Sequence, residues 1–401
     1  MTHPTLDIKG SKGNELSGKK IVLGVTGSIA AVEAIKLARE LIRYGADIYG
    51  VMTRDAQKII HPYALQYATG RDVITEITGD VEHIELCGDR IGKADLLLIA
   101  PCTANTIGKI ATGIDDTPVT TFASTALGAG LPIIIVPAMH ESMYSHPIIA
   151  ENVQRLKGLG IEFVGPRLEE GRAKIADTDD IIVHVLRSLS KKELKGKKVL
   201  VTGGATAEAI DPIRILTNRS SGKTGLELAR GTFIRGADVT LVQKGDCPYT
   251  AIRNIYVESA KEMSDAVLGE LKKGYDVFIC AAAVSDYTVD RSQDKLPSGQ
   301  ALTLSLKPVP KLIERVRDMH PGLYMVSFKA ETNVSKEELI SKTRSMKDGL
   351  KLNLAVANDV GKGGIGEEEN EVYIIGDDVI HVKGSKREIA KKVIDAIAGM
   401  L

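Results

Sequence analysis

The sequence predicts an α/β protein of two Rossmann-like or flavodoxin-like doubly wound domains, each built on a mainly parallel sheet. Three observations carry this reading. The chain has 401 residues, above the size at which a single hydrophobic core keeps growing. Two short β-branched runs, IVLGVTG after Lys19-Lys20 and VLVTGG after Lys197-Lys198, end in glycine, as buried parallel strands do on entering a turn. After each run, strand-length apolar segments alternate with segments of helical periodicity, the pattern of a parallel sheet covered by helices on both faces.

Taken in order, residues 1–17 (MTHPTLDIKGSKGNELS) lack the apolar stretch of a signal peptide and read as a flexible tail. The first domain is expected over 18–187. Helical periodicity covers about Ile29 to Arg43 and stops at Gly45, and a strand follows from Asp47 to Met52. Further strands are expected at Leu96–Ala100, where Pro101 bars regular continuation, at Ile133–Val136 and at Ile161–Val164. A polar linker, 188–196, leads to a second domain over 197–401. Its strands are expected at Val239–Val242, Val277–Ala281, Leu323–Phe328, Leu354–Ala357 and Val372–Ile375, with helices near 222–234, 260–272, 310–319, 335–348 and 385–398.

Composition narrows the function classes. Lys+Arg and Asp+Glu both number 52, and zero net charge argues against nucleic acid or an anionic membrane as the main partner. Cys87, Cys102, Cys247 and Cys280 form no C-x-x-C pair; they suit neither a disulfide framework nor a metal cluster and point to a reducing cytoplasm. No apolar run approaches the roughly 18 residues of a membrane span.

In such sheets ligands bind beyond the carboxyl ends of the strands, so the post-strand loops are where chemistry is expected. Gly24–Ala31 sets small residues and hydroxyls at a helix N-terminus, which suits phosphate or is a plain strand-to-helix turn. It lacks G-x-G-x-x-G, which disfavours ordinary NAD binding. Thr53-Arg54 is a phosphate contact or an N-cap. Thr103, Asn105 and Thr106 offer hydrogen bonds to a planar polar ligand, or cap a helix. Met139 and Met143 in PAMHESMY bind ligand or fill the core. His83 is the proton-transfer candidate of this half, against a structural role.

In the second half, Ser221–Thr224 imitates a P-loop, but position 217 is Thr where that motif needs Gly. The longer string from Asp211 to Gly225 packs hydroxyls, an amide and two arginines ahead of a helix; Arg214 and Asn218 there suit phosphate and carboxylate. Asp286, in AAAVSDY, holds a ribose or a metal-bound phosphate or caps a turn. Lys295 lies in a loop bounded by Pro and Gly.

TGSIAA, HIEL, PCTANT and PAMHESMY, in this order over roughly 18–185, resemble the homo-oligomeric flavin-containing cysteine decarboxylases. The resemblance implies that Gly27, Ser28, Thr53, Thr103, Asn105 and Thr106 hold FMN, that His83 is the essential base, and that Met139 and His140 clasp the substrate carboxylate. It implies oxidation of a cysteine-derived thiol, which places an electron sink beta to the departing carboxylate. Two departures stand out. His140 replaces the usual Asn, and the flap stretch Glu170–Asp177 has no Cys; Lys174 sits about where that Cys would be, so Lys174 or Cys102 is expected to donate the final proton.

TNRSSGKTG, AAAVSDY, FKAET and VANDV, over about 195–400, resemble the phosphopantothenate–cysteine ligases. This resemblance implies that Asn218 stabilises an acyl-cytidylate with Arg214 nearby, and that Lys295 assists attack by cysteine. It also implies that Ala282, Asp286, Pro310, Phe328, Lys342, Lys347 and Lys295 contact CTP, and that Mg²⁺ arrives on the CTP phosphates. Together the halves imply a fused enzyme of coenzyme A biosynthesis, acting on 4′-phosphopantothenate, cysteine and CTP. Trimeric decarboxylase halves and dimeric ligase halves would combine into a larger assembly such as a dodecamer. Two other readings are a flavin-binding transferase or regulatory flavoprotein, which does not explain the second half, and a two-domain NAD(P) oxidoreductase, which the missing glycine fingerprint disfavours.

Overall fold

The computed structural model describes residues 3–169, 172–299, 301–362 and 369–400. The chain divides into two compact units, Met1–Leu189 and Ser190–Leu401.

The first unit is built on five parallel strands, β1 (Lys20–Val25), β2 (Asp47–Met52), β3 (Leu96–Cys102), β4 (Ile133–Pro137) and β5 (Glu162–Phe163), in the order β2-β1-β3-β4-β5. Alternate residues Leu97, Ile99, Ile133 and Ile135 pack with Ile107 and Phe122 in one layer. The intervening Leu96, Leu98 and Ile134 are buried as well. Both pleats are therefore covered, which is why these segments read as unbroken apolar runs. The helix expected from Ile29 opens as a 3₁₀ turn, Ile29–Val32, before the α-helix Glu33–Arg43.

Three expectations for this unit are corrected. β3 continues through Pro101, across a cis Ala100–Pro101 bond and a register irregularity between Ile99 and Cys102. The strand expected over Ile161–Val164 shrinks to two residues. The amino-terminal stretch is packed: Pro4–Ile8 forms a 3₁₀ turn, Thr5 Oγ1 donates to the Tyr67 carbonyl, Lys12 pairs with Glu40 at 2.7 Å, and Leu16 is fully buried. Isolated anchors of this kind leave no periodic pattern in a sequence.

Among the described residues the main sheet of the second unit has eight strands: β6 (Lys198–Gly203), β7 (Asp238–Gln243), β8 (Arg253–Tyr256), β9 (Val277–Cys280), β10 (Tyr324–Glu331), β11 (Leu354–Asp359), β12 (Glu369–Ile375) and β13 (Val379–Ser385). Their order is β8-β7-β6-β9-β10-β11-β12-β13. Strands β8 to β11 are parallel, while β12 and β13 add an antiparallel edge. Leu200, Val242, Met263, Val267, Phe278, Val316 and Met325 form a core between sheet and helices. The edge strands β8 and β13 were not expected. Both are half-exposed and mixed in polarity, so neither shows the apolar run of a central strand.

Candidate active sites

Both sheets reverse their winding beside the first strand of the unit, between β1 and β3 and between β6 and β9. The loops after those strands diverge and leave a crevice. In both, the strand ends in Val-Thr-Gly, and the threonine hydroxyl ties the two diverging loops together. Thr26 Oγ1 donates to the Pro101 carbonyl at 2.8 Å and accepts the Thr103 N–H at 3.0 Å. Thr202 Oγ1 accepts the Ala282 N–H at 3.3 Å, and Ala283 N donates to the Gly204 carbonyl at 2.8 Å.

In the first unit, Gly27 passes so close to the loop after β2 that a Cβ there would lie 2.5 Å from Asp55 Cβ; only glycine fits. Ser28 caps the 3₁₀ turn through the Ala30 N–H. Buried Thr53 caps Ala56 at 3.2 Å. Thr103 caps the helix Ala104–Thr112, its hydroxyl 3.1 Å from that of Thr106, while Asn105 is exposed on the first turn. Backbone donors, hydroxyls and an amide thus converge at one sheet end, a donor set that fits a phosphate and a planar polar ring.

A cavity of about 700 Å³ is lined by Ser28, Ile29, Met139, His140 and Lys174. Met139 and His140 reach it because they pair antiparallel with Ala173 and Arg172, whose strand also pairs with Arg167–Glu169. Glu170 and Gly171 of the flap stretch lie outside the described residues. His140 caps the turn Glu141–Tyr144, its Nδ1 2.8 Å from Ser142 Oγ.

His83 lies on the short helix Glu82–Cys87, outside the lining of that cavity, with its ring edge-on to Phe122 at 6.4 Å. Its Nδ1 is buried with no hydrogen-bond partner among the described residues. Such a buried polar atom is available to hydrogen-bond a water or a bound group. Cys102, expected as an alternative proton donor, is fully enclosed among Val22, Ile99 and Ile107, and burial pushes its thiol pKa up. That placement removes it from the cavity, whose lining includes Lys174.

In the second unit, the Asp211–Gly225 string and the AAAVSDY loop meet. Asn218 Nδ2 donates to the Ala283 carbonyl at 2.6 Å, while its Oδ1 accepts the Ser220 N–H. Arg214 binds Asp211 at 2.7 Å and the Leu296 carbonyl at 3.2 Å, beside exposed Lys295. A cavity of about 180 Å³ opens between Ser220–Gly225, Ala282 and Phe328. Asp286 pairs with Lys311, next to Pro310. Lys342 pairs with Glu338 at 2.8 Å and approaches Glu331, and Lys347 lies 3.6 Å from Asp348. None of Asp286, Pro310, Lys342 and Lys347 lines the cavity.

Sequence reasoning missed Asn358, Asn370 and buried Lys386, which do line it. The Ser-x-x-Glu capping box from Ser385 to Glu388 marks the helix start. Nothing local announces that pairing of β12 with β11 carries that start to the cavity.

Residues 9–190 match the family model described as Flavoprotein, and residues 194–401 match the DNA/pantothenate metabolism flavoprotein C-terminal domain. The Coenzyme A biosynthesis bifunctional protein CoaBC of Thermococcus kodakarensis is 52% identical over 406 residues, covering all of both chains. The protein of the same name from Methanocaldococcus jannaschii is 41% identical over 401 residues, covering 98% of this chain and 97% of that one. A solved C-terminal domain of a coenzyme A biosynthesis bifunctional protein is 27% identical over 52% of this chain and 98% of its own, with a TM-score of 0.44. The chain belongs to the family of coenzyme A biosynthesis bifunctional proteins, in which a flavoprotein decarboxylase unit is followed by a ligase unit.

Proposed function

We propose that the second unit joins cysteine to 4′-phosphopantothenate at the expense of CTP, and that the first unit decarboxylates the resulting 4′-phosphopantothenoylcysteine to 4′-phosphopantetheine with FMN. The observation that carries this is the pair of threonine-tied crevices, each at the reversal point of its sheet, the first bordered by Ser28 and Thr103 and the second by Asn218 and Ala282.

In the ligase unit a carboxylate must gain a leaving group before an amine can attack it. CTP supplies one, with Mg²⁺ entering on its phosphates. Asn218, pinned by Ala283 and Ser220, presents its side chain at the crevice mouth to the acyl-cytidylate. Arg214 leaves part of its guanidinium exposed for anionic oxygen. Lys295, on the neighbouring loop, assists the attacking amine. Ala282 and Phe328 line the cavity assigned to the nucleotide, and the family resemblance assigns Asp286, Pro310, Lys342 and Lys347 to CTP as well.

In the decarboxylase unit Gly27, Ser28, Thr53, Thr103, Asn105 and Thr106 would hold FMN, which when bound would accept two electrons before loss of carbon dioxide and return them afterwards, so that the conversion is redox-neutral. His83 takes the substrate proton, Met139 and His140 hold the carboxylate, and Lys174 returns a proton on the product side. Exposed Ile29 (78%) and Val32 (50%) flank the Ser28 loop and support a subunit contact there. The family resemblance implies a homo-oligomer, with trimeric decarboxylase and dimeric ligase halves. Among the described residues no helix is long and apolar enough to cross a membrane, and a cytoplasmic location suits the substrates and the four free cysteines.

The test is incubation of the purified chain with 4′-phosphopantothenate, cysteine and each nucleoside triphosphate. A yellow protein that releases pyrophosphate with CTP, followed by equimolar carbon dioxide, is expected. Colourless protein, or no pyrophosphate with any triphosphate, would refute the corresponding half.

A further inference from the structure

The side chain of Asp211 is fully enclosed, yet four donors converge on its carboxylate. Oδ1 accepts the Ile213 and Arg214 N–H groups, both at 2.7 Å. Oδ2 accepts Arg214 Nη1 at 2.7 Å and the Leu296 N–H at 3.2 Å. The donors come from two segments about 80 residues apart in sequence. Arg214 Nη1 also reaches the Leu296 carbonyl, so both backbone groups of Leu296 are tied to the Asp211–Arg214 pair. Ile210 reinforces the link by accepting the Ser292 N–H at 2.9 Å.

An Asx turn closing residues 211–214 needs only the two local N–H bonds. The other oxygen does something a turn does not require: it fixes one face of the Arg214 guanidinium and the backbone next to Lys295. Forty per cent of the Arg214 side chain stays exposed, and its remaining N–H groups keep their fork geometry for an incoming anion.

We propose that Asp211 is a positioning residue of the ligase site, holding the Arg214 guanidinium and the Lys295 loop in one register so that both meet the same substrate. This rests on the ligase function proposed above. Burial works against charge on Asp211, but the N–H groups of Ile213, Arg214 and Leu296 and the Arg214 charge outweigh it and draw the pKa down to about 2. Asp211 is therefore charged at neutral pH, the state that accepts all four donors.

The test uses the full chain. Asp211→Asn keeps size and one acceptor oxygen but turns an amide nitrogen toward two of the four donors. A misplacement of about 1 Å costs about 10²-fold in rate, and a loss of that order in kcat for CTP-dependent pyrophosphate release is expected. Amide exchange over residues 291–299 should quicken, while decarboxylation of supplied 4′-phosphopantothenoylcysteine stays unchanged. Adding Arg214→Ala to Asp211→Asn should cost little beyond Arg214→Ala alone. Fully additive losses, or unchanged exchange in the loop, would overturn the proposal. If Asp211→Asn prevents the second unit from folding, Leu296→Pro removes the N–H from the second loop, together with the leucine side chain and some backbone freedom at Lys295; a folded Leu296→Pro protein with wild-type turnover would equally overturn it. Absence of CTP-dependent pyrophosphate release in the unmodified chain would instead defeat the ligase reading itself.

Discussion

Two glycine-to-alanine changes in one helix should have unequal consequences. In the helix Lys223–Ile234, a Cβ on Gly225 would lie 2.6 Å from Gly203 Cα and 3.2 Å from the Thr202 carbonyl oxygen. Both are backbone atoms at the end of β6, fixed by pairing with β7 and β9. Carbon atoms pack at about 3.5–4.0 Å, so the helix must lift by about 1 Å. Overpacking of this kind costs about 1–3 kcal/mol, and backbone on both sides puts Gly225→Ala at the upper end. The gain in helix propensity returns only about 1 kcal/mol. On Gly231 the Cβ meets only the tip of Ile394, at 2.4 Å. Swinging that tip costs about 0.5–1.5 kcal/mol, which the propensity gain offsets. Gly225→Ala should thus be about 2 kcal/mol less stable than wild type and Gly231→Ala within about 1 kcal/mol of it. For a unit of this size 2 kcal/mol is about 4–8 °C in Tm. Calorimetry of the full chain reads the shift, and amide exchange in 223–234 assigns it. Because the Ser221–Lys223 turn rides on this helix, KM for CTP should also rise in Gly225→Ala, with decarboxylation untouched. A Gly225→Ala protein melting at or above Gly231→Ala would refute the close-packing argument.

Three further outcomes are expected. His83→Asn should lower decarboxylation by about 10²-fold or more while flavin absorbance and pyrophosphate release persist; loss of the flavin colour would point to a structural role instead. Burial raises the pKa of the Glu270 carboxyl, but bonds from Arg253, Lys273 and Tyr275 more than reverse this and hold it at about 2, against an ordinary value of 4.5. Because the folded pKa is the lower one, this pairing stabilises fully above about pH 4.5 and is lost as pH falls toward 2. Both cations are half-exposed, so Glu270→Gln should cost only about 1–2 kcal/mol at neutral pH and flatten acid unfolding over that window; an unchanged acid limb in urea titrations would count against it. Leu16→Ala should destabilise the first unit by about 2–5 kcal/mol, and a thermal shift near zero would mean that the amino-terminal stretch is not anchored there.

Much of the fold was legible because central strands of a parallel sheet are buried on both faces, and their apolar runs survive as plain text: LLLIA, IIIV and VLVTG. The strands that escaped, β8 and β13, are edges whose half-exposed faces carry Arg, Asn, His and Lys. Pro101 misled for a related reason, since a local rule about donors says nothing of how a strand is carried past an irregular register. Among site residues, Thr103 with Thr106 and Ser28 were legible as capping chemistry, which depends only on neighbours in sequence.

What the sequence by itself determined is therefore the set of short-range commitments: two strand–turn–helix units, each with its first strand ending in Val-Thr-Gly, caps that orient backbone donors, and the residues available for chemistry. Only the tertiary structure decided which of those residues meet. It set Thr26 against Thr103 and Thr202 against Ala282, moved Cys102 into the core, brought Lys386 to the cavity beside Ser220–Gly225, and closed Asp211 over both Arg214 and Leu296. The reason is physical. Helices, turns and caps are set by interactions within a few residues, whereas crevice contacts depend on strand order, and strand order is settled by burying both faces of the sheet at once.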